Sequence, residues 1–228
     1  MKSTNSKTNK YKHAVIAVDT VVFALDKNSL QVLLIQMKKK PYTKFWAAPG
    51  GLIGGAESLE KAVVRVLKNK TGMAPEYFEQ LYTFGDVNRD PFGRVVSVAY
   101  LVPLQNLTIK IKTSGQYQDI KWFPIKKLPA LAYDHRAIIS KGLERLRAKL
   151  EYSNIACKMI PKDFTLTDLQ KAYEIILDKK LDKRNFRKKI MALKLVKATK
   201  NFDTSKPNRP AQLFVAASSQ VNMTRVLS

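Results

Sequence analysis

Between Lys183 and Lys189 five of seven residues are cationic: Lys183, Arg184, Arg187, Lys188 and Lys189, interrupted by Asn185 and Phe186. An ammonium neutralises a phosphate as a point charge, while guanidinium and carboxamide groups can also donate to base edges in a major groove. Wound as a helix, at about 100° per residue, the segment sets Arg184 and Lys188 nearly opposite Phe186, with Asn185 and Arg187 on the flanks. The bland alternative is a solvated helix face, but this density of cations exceeds what solubility requires. A second group with phosphate chemistry is Arg89 and Arg94, whose planar forks suit bidentate contact with an anion. Arg89 reads equally well as the partner of Asp90 in an ion pair shaping the turn before Pro91. Phe45 and Trp46 have rings that can stack a base or fill a core. The lone cysteine, Cys157, has apolar neighbours in Ile155 and Ala156 and reads as a packed thiol, not a nucleophile.

The elements that must carry these groups follow from periodicity. His13–Leu25 and Leu30–Met37 are Val- and Ile-rich strand patterns around a turn at Asp26-Lys-Asn28. Pro49, Gly50, Gly51, Gly54 and Gly55 punctuate a loop, and Ser58–Lys70 then carries Leu59, Ala62, Val63, Val66 and Leu67 at helical spacing, ended by Gly72. Strand patterns recur at Leu81–Phe84, Val95–Val102, Leu107–Ile111 and Ile120–Phe123, before a helix over Ala137–Leu150. Past Pro161 the pattern changes. Thr167-Asp-Leu-Gln170 has the form of a capping box opening a helix with Leu169, Ala172, Tyr173 and Ile176 on one face. A turn over Asp178–Leu181 leads to the basic helix, Asp182–Leu193, with Phe186, Ile190 and Leu193 inward. Two strands, Leu195–Thr199 and Gln212–Val215, then flank a tip bearing Lys200, Lys206 and Arg209. Helix, short turn, basic helix and hairpin make a winged helix-turn-helix, whose second helix is the candidate for the major groove of double-stranded DNA.

Composition limits the function classes. The 228 residues are 45% hydrophobic and 26% charged, which excludes disorder throughout and leaves room for two domains. Lys and Arg number 41 against 18 Asp and Glu, a formal charge of +23, and a polyanionic partner is expected. No apolar run reaches the roughly 18 residues of a membrane span, and the basic N-terminus lacks the apolar region of a signal peptide. A cytoplasmic location is therefore expected, with no membrane partner. We expect residues 1–12 to be a flexible basic arm, 13–153 one domain, 154–216 a second and 217–228 an extension without an interpretable motif.

The segment Gly51–Met73, GLIGGAESLEKAVVRVLKNKTGM, resembles the Nudix signature, with Gly51, Glu57, Arg65, Leu67, Gly72 and Met73 at the family's spacings. In active members a Glu cluster on this helix holds the divalent cations that polarise a diphosphate. Here those positions are Val66, Asn69 and Lys70, an aliphatic, an amide and an ammonium, which removes the oxygen ligands a hard cation needs. The resemblance thus implies a Nudix-like domain without metal and without hydrolysis, free to bind a nucleotide it no longer cleaves. The stretch from Phe84 to Tyr100 is similar to the segment of Nudix proteins that accept ADP-ribose-like ligands. The candidate effector-binding residues are Phe45, Trp46, Gly50, Gly51, Arg65, Arg89, Asp90 and Arg94.

Joined to the C-terminal segments Phe164–Gln170 and Leu181–Lys189, the degenerate box resembles the NrtR family of Nudix-related transcriptional regulators, over about residues 13–216. The implied fold class is α+β: a Nudix-like α/β/α sandwich with a mixed sheet, followed by a C-terminal winged helix-turn-helix domain. The implied function is a bacterial repressor of NAD-related genes that binds a palindromic operator as a homodimer and is released by ADP-ribose, an effector and not a cofactor. Lys183, Arg184, Asn185, Arg187, Lys188 and Lys189, with Lys206 and Arg209 on the wing, are the expected DNA contacts. The rivals are a nucleotide pyrophosphatase acting on ADP-ribose, a sugar-responsive regulator of related architecture, and a non-specific nucleic-acid-binding protein.

Overall fold

The computed structural model describes residues 13–105, 107, 117–204 and 210–221. The expected N-terminal arm, the strand expected over Leu107–Ile111 beyond Leu107 itself, and the wing-tip residues Lys206 and Arg209 lie outside the described residues. Among the described residues no helix is long and apolar enough to cross a membrane.

The first half is built on β1 (Val15–Leu25), which runs parallel to β6 (Val95–Leu104) in an unbroken register from Val15↔Val95 to Ala24↔Leu104. Such pairing needs a crossover and cover on both faces. Alternation along β1 supplies it: Val21 and Phe23 point to one hydrophobic cluster, Val18 and Val22 to another. The second cluster is closed by α1 (Leu59–Thr71), through Ala62, Val63, Val66 and Leu67. The first is closed by α2 (His135–Tyr152), through Ile138, Ile139 and Leu146. Gly142 brings α2 onto β1; a Cβ there would stand 2.9 Å from Val21 Cγ1. Antiparallel β2 (Leu30–Gln36) and β5 (Glu79–Phe84) extend the sheet beside β1 and β6, and β7 (Asp119–Pro124) pairs with β2. The result is an α/β/α sandwich on a mixed sheet.

The glycine-punctuated segment departs from expectation. It contains two short strands, β3 (Trp46–Ala47) on β2 and β4 (Gly50–Leu52) on β1. Gly50 faces Asp19 in that register, and a Cβ would lie 1.8 Å from Asp19 Oδ1. The glycine that reads as a loop marker is there to let backbone approach a buried carboxylate. Helix α1 ends at Gly72, φ 75°, as its sequence predicts, and Ser58 caps its start by accepting from the Lys61 N–H at 3.3 Å.

The second half begins with a single 3-10 turn over Ile155–Lys158, then β8 (Phe164–Thr165), α3 (Leu166–Leu177), α4 (Lys183–Ala192), β9 (Val196–Asp203) and β10 (Ala211–Ala216), the strands ordered β8-β10-β9. The cap of α3 is not Thr167. Thr165 accepts from the Asp168 N–H at 3.2 Å and Asp168 Oδ2 accepts from the Thr165 N–H at 3.0 Å, so the box sits two residues earlier. Both Thr-x-x-Asp168 and Thr-x-x-Gln170 satisfy the pattern, and the carboxylate is the better acceptor. Gln170 instead donates to Leu181 O at 2.9 Å and ties α3 to the turn. Strand β9 runs to Asp203, so Lys200 lies on the strand, not at the wing tip. The Cys157 thiol is partly buried and pushed up to about 12 by burial, as suits a packed thiol.

The two halves share one apolar cluster: Ile138 and Leu146 of α2, Ile155, Met159 and Ile160 of the connection, and Leu169, Tyr173 and Phe186 beyond it. Arg147 of α2 donates to Ile176 O in the last turn of α3 at 2.8 Å, and Lys126 pairs with Asp178.

Candidate functional site

A cavity of about 420 Å³ opens between β1, β4, the end of α1, the 89–95 segment and the start of α2. Its floor is a buried polar network. The Asp19 carboxylate accepts from Ser97 Oγ at 2.5 Å and from Arg89 Nη2 at 3.4 Å. Arg89 grips Asp134 more firmly, through Nε at 2.9 Å and Nη2 at 2.7 Å. His135 Nδ1 accepts from the Ala48 N–H at 2.8 Å, which places the proton of the neutral ring on Nε2, 3.7 Å from Asp19 Oδ1. Burial holds the His135 pKa below its ordinary value, against the pull of Asp19 and Asp134.

This geometry revises the expectations for the cavity. Arg89 pairs neither with Asp90 nor openly with solvent: its fork is filled by Asp134 and Asp19 and its side chain is 4% exposed. It shapes the floor instead of offering a bare fork to a phosphate. Arg94 lines the cavity, with Nη1 donating to Gly85 O at 2.8 Å and Asp86 O at 2.9 Å. Asp90, Gly50 and Gly51 also line it, and Asp90 Oδ1 accepts from the Phe92 N–H at 2.8 Å. Arg65 is not in the lining. It forks onto Glu57 and donates to Leu52 O at 2.9 Å, holding the Glu57 carboxyl down to about 2, first through its own hydrogen bond and then through the Gly54 N–H. Trp46 is core, edge-on to Phe123 at 4.6 Å, and Phe45 meets Tyr42, which packs on Tyr133; neither Phe45 nor Trp46 is in the cavity lining. The rings that do line it are Phe92, Tyr117 and Tyr133. These, with Asp19 and His135, escape a sequence reading because partners lie up to 87 residues apart.

The degenerate box positions are now explicit. Val66 is fully packed beneath Gly51, Asn69 faces solvent, and Lys70 donates to Gly50 O with its ammonium 4.6 Å above the Tyr117 ring. Burial lowers the Lys70 pKa to about 8 even though Asp19 pulls it up. Among the described residues no cluster of three His, Cys, Asp or Glu side chains could hold a metal ion. The donor set of an aliphatic, an amide and an ammonium does not fit the divalent cations of an active Nudix box.

At the other end of the molecule, Asp182 caps α4 by accepting from the Asn185 N–H at 2.8 Å, and Phe186 and Ile190 anchor the helix, Phe186 edge-on to Tyr173 at 5.2 Å. Lys183, Arg184, Asn185, Arg187, Lys188 and Lys189 are all exposed. None of their side chains has a hydrogen bond or ion pair among the described residues.

A cavity-bearing sandwich in one core with a helix-turn-helix and a three-stranded wing defines a Nudix domain carrying a winged helix. Residues 15–145 match the NUDIX domain model and residues 156–215 that of the NrtR DNA-binding winged helix domain. The chain is 34% identical over 210 residues to the ADPR responsive transcriptional repressor NtrR of Acinetobacter baylyi, covering 90% of this chain and 82% of that one. It superposes on Shewanella oneidensis NrtR complexed with a 27mer DNA at a TM-score of 0.76 and 35% identity, covering 88% and 93% of the two chains. The NUDIX domain of that Shewanella protein, complexed with ADP ribose, matches at a TM-score of 0.54 and 36% identity over 62% of this chain and 94% of that one. The ADP-ribose pyrophosphatase of Methanocaldococcus jannaschii is 32% identical over 133 residues, 58% of this chain and 75% of that one. The chain belongs to the NrtR family.

Proposed function

We propose that this chain is an ADP-ribose-responsive transcriptional repressor that binds a palindromic operator as a homodimer, with α4 in the major groove, and that it does not hydrolyse its effector. The observation that carries the reading is the outward face of α4: five cations and an amide, exposed and without partners among the described residues, on a helix anchored by Phe186 and Ile190. Arg184, Asn185, Arg187 and Lys188 read base edges, Lys183 and Lys189 hold phosphates, and Lys206 and Arg209 contact DNA from the wing. The repressor of Acinetobacter and the DNA and ADP ribose complexes of the Shewanella protein support the same assignment. The protein acts in the cytoplasm on genes of NAD or related metabolism.

The effector occupies the cavity over Asp19 and Arg89. Its influence reaches the DNA along α2, which begins at the cavity with Asp134 and His135 and meets α3 through Arg147. For this coupling the ligand must favour one state of the dimer; a difference of about 1 to 3 kcal/mol alters operator affinity roughly 5- to 150-fold. Fluorescence anisotropy on a labelled palindrome from the protein's own upstream region tests the reading, with scrambled DNA as control, at about 150 mM salt. Selective binding that weakens with ADP-ribose supports it, and equal binding to both DNAs refutes it. The Methanocaldococcus relative favours hydrolysis as a second reading, which predicts Mg²⁺-dependent release of AMP from ADP-ribose.

A further inference from the structure

We infer that the ammonium of Lys70 stands where an active Nudix box would hold a divalent cation, and that it receives the diphosphate of the effector directly, so the cavity takes its ligand without metal. The inference deepens the effector reading above and rests on it.

Three features of the site carry it. The last turn of α1 delivers Lys70 to the cavity wall, where its ammonium donates to Gly50 O. Among the described residues Gly50 O is the one hydrogen-bond acceptor of this ammonium, which leaves two of its three N–H groups for a ligand. The carboxylates nearby are otherwise engaged: Glu57 is forked by Arg65, Asp134 by Arg89, Asp19 by Ser97 and Arg89, and Asp90 accepts from the Phe92 N–H. What faces the open volume is therefore a fixed cation, with Arg94 as a second one in the lining. A diphosphate is the anion that such a pair matches, and a divalent cation placed beside Lys70 would be repelled by it.

Calorimetric titration of the full-length protein with ADP-ribose, in EDTA and again in Mg²⁺, tests this. The expected result is equal affinity in the two buffers. K70M should bind about ten- to hundredfold more weakly in both, the loss expected for a charged hydrogen bond, and K70R should recover most of the affinity. Circular dichroism melts report whether each variant is folded, and K70Q serves if K70M is not. Wild-type binding that requires Mg²⁺, or a folded K70M or K70Q as tight as wild type, overturns the inference and leaves the effector reading intact. A wild-type protein that binds ADP-ribose in neither buffer overturns both.

Discussion

Replacing Asp134 by Ala isolates the polar floor of the cavity. Asp134 stands at the N-cap of α2, yet its side chain makes no cap bond because both oxygens are turned to Arg89. The substitution therefore costs little capping, at most the about 0.3 to 1 kcal/mol of an anion near a helix N-terminus. What it does cost is compensation of a guanidinium whose side chain is 4% exposed, left with Asp19 at 3.4 Å, an oxygen Ser97 already uses. Removing one partner of a buried pair costs about 3 to 5 kcal/mol; with Asp134 22% exposed and Asp19 still present, the low end applies, about 3 kcal/mol. For a chain of this size about 2 to 4 °C of Tm accompanies each kcal/mol, so the melting temperature should fall by about 6 to 12 °C. D134N, which keeps the shape and one acceptor, should lose about half as much. Differential scanning calorimetry measures both. A D134A protein within about 1 kcal/mol of wild type would refute the claim that Arg89 depends on this partner.

Other expectations follow from the same geometry. R187A and K188A should each weaken operator binding and lower the salt-dependence slope of log K by about 0.9 for each phosphate no longer neutralised, read by anisotropy across a salt series; unchanged affinity at matched salt refutes the assignment of α4. F186A removes the anchor of α4 against Tyr173 and should cost about 3 to 5 kcal/mol in a denaturant melt. Because burial lowers the Lys70 pKa to about 8, while Asp19 on β1 raises it and Arg65 on α1 lowers it, the charged form is lost as pH rises through that value. ADP-ribose affinity should thus fall between about pH 7 and pH 9 in wild type and stay flat in K70M; equal slopes in the two proteins refute the dependence.

The parts of this molecule legible in sequence are those whose determinants lie within one or two helical turns. The inward stripe of Phe186 and Ile190 and the outward cations are fixed by the helical period alone, and the end of α1 by Gly72. The cap of α3 is not, because Thr165 and Thr167 each have a polar side chain three residues on. The fate of Arg89 is invisible locally: its partners lie 45 and 70 residues away, and the adjacent Asp90, which sequence offers, turns to its own loop. Trp46 and Phe45 have the right chemistry for stacking, but pairing of β3 with β2 commits Trp46 to the core. Lys70 does carry a signal, since an ammonium at a metal-binding position is itself a replacement for a cation.

The apolar cluster that runs from α2 through Ile155, Met159 and Ile160 into Tyr173 and Phe186 leaves no slack joint between the two halves. Past Ser153 the connection is exposed over residues 161–163 alone, and the halves should melt in one cooperative step. Ligand bound in the cavity should then slow amide exchange in α3 and α4 as well as around itself. The effector would register on the DNA side as a sliding of packed helices, with no swinging of one half about a hinge.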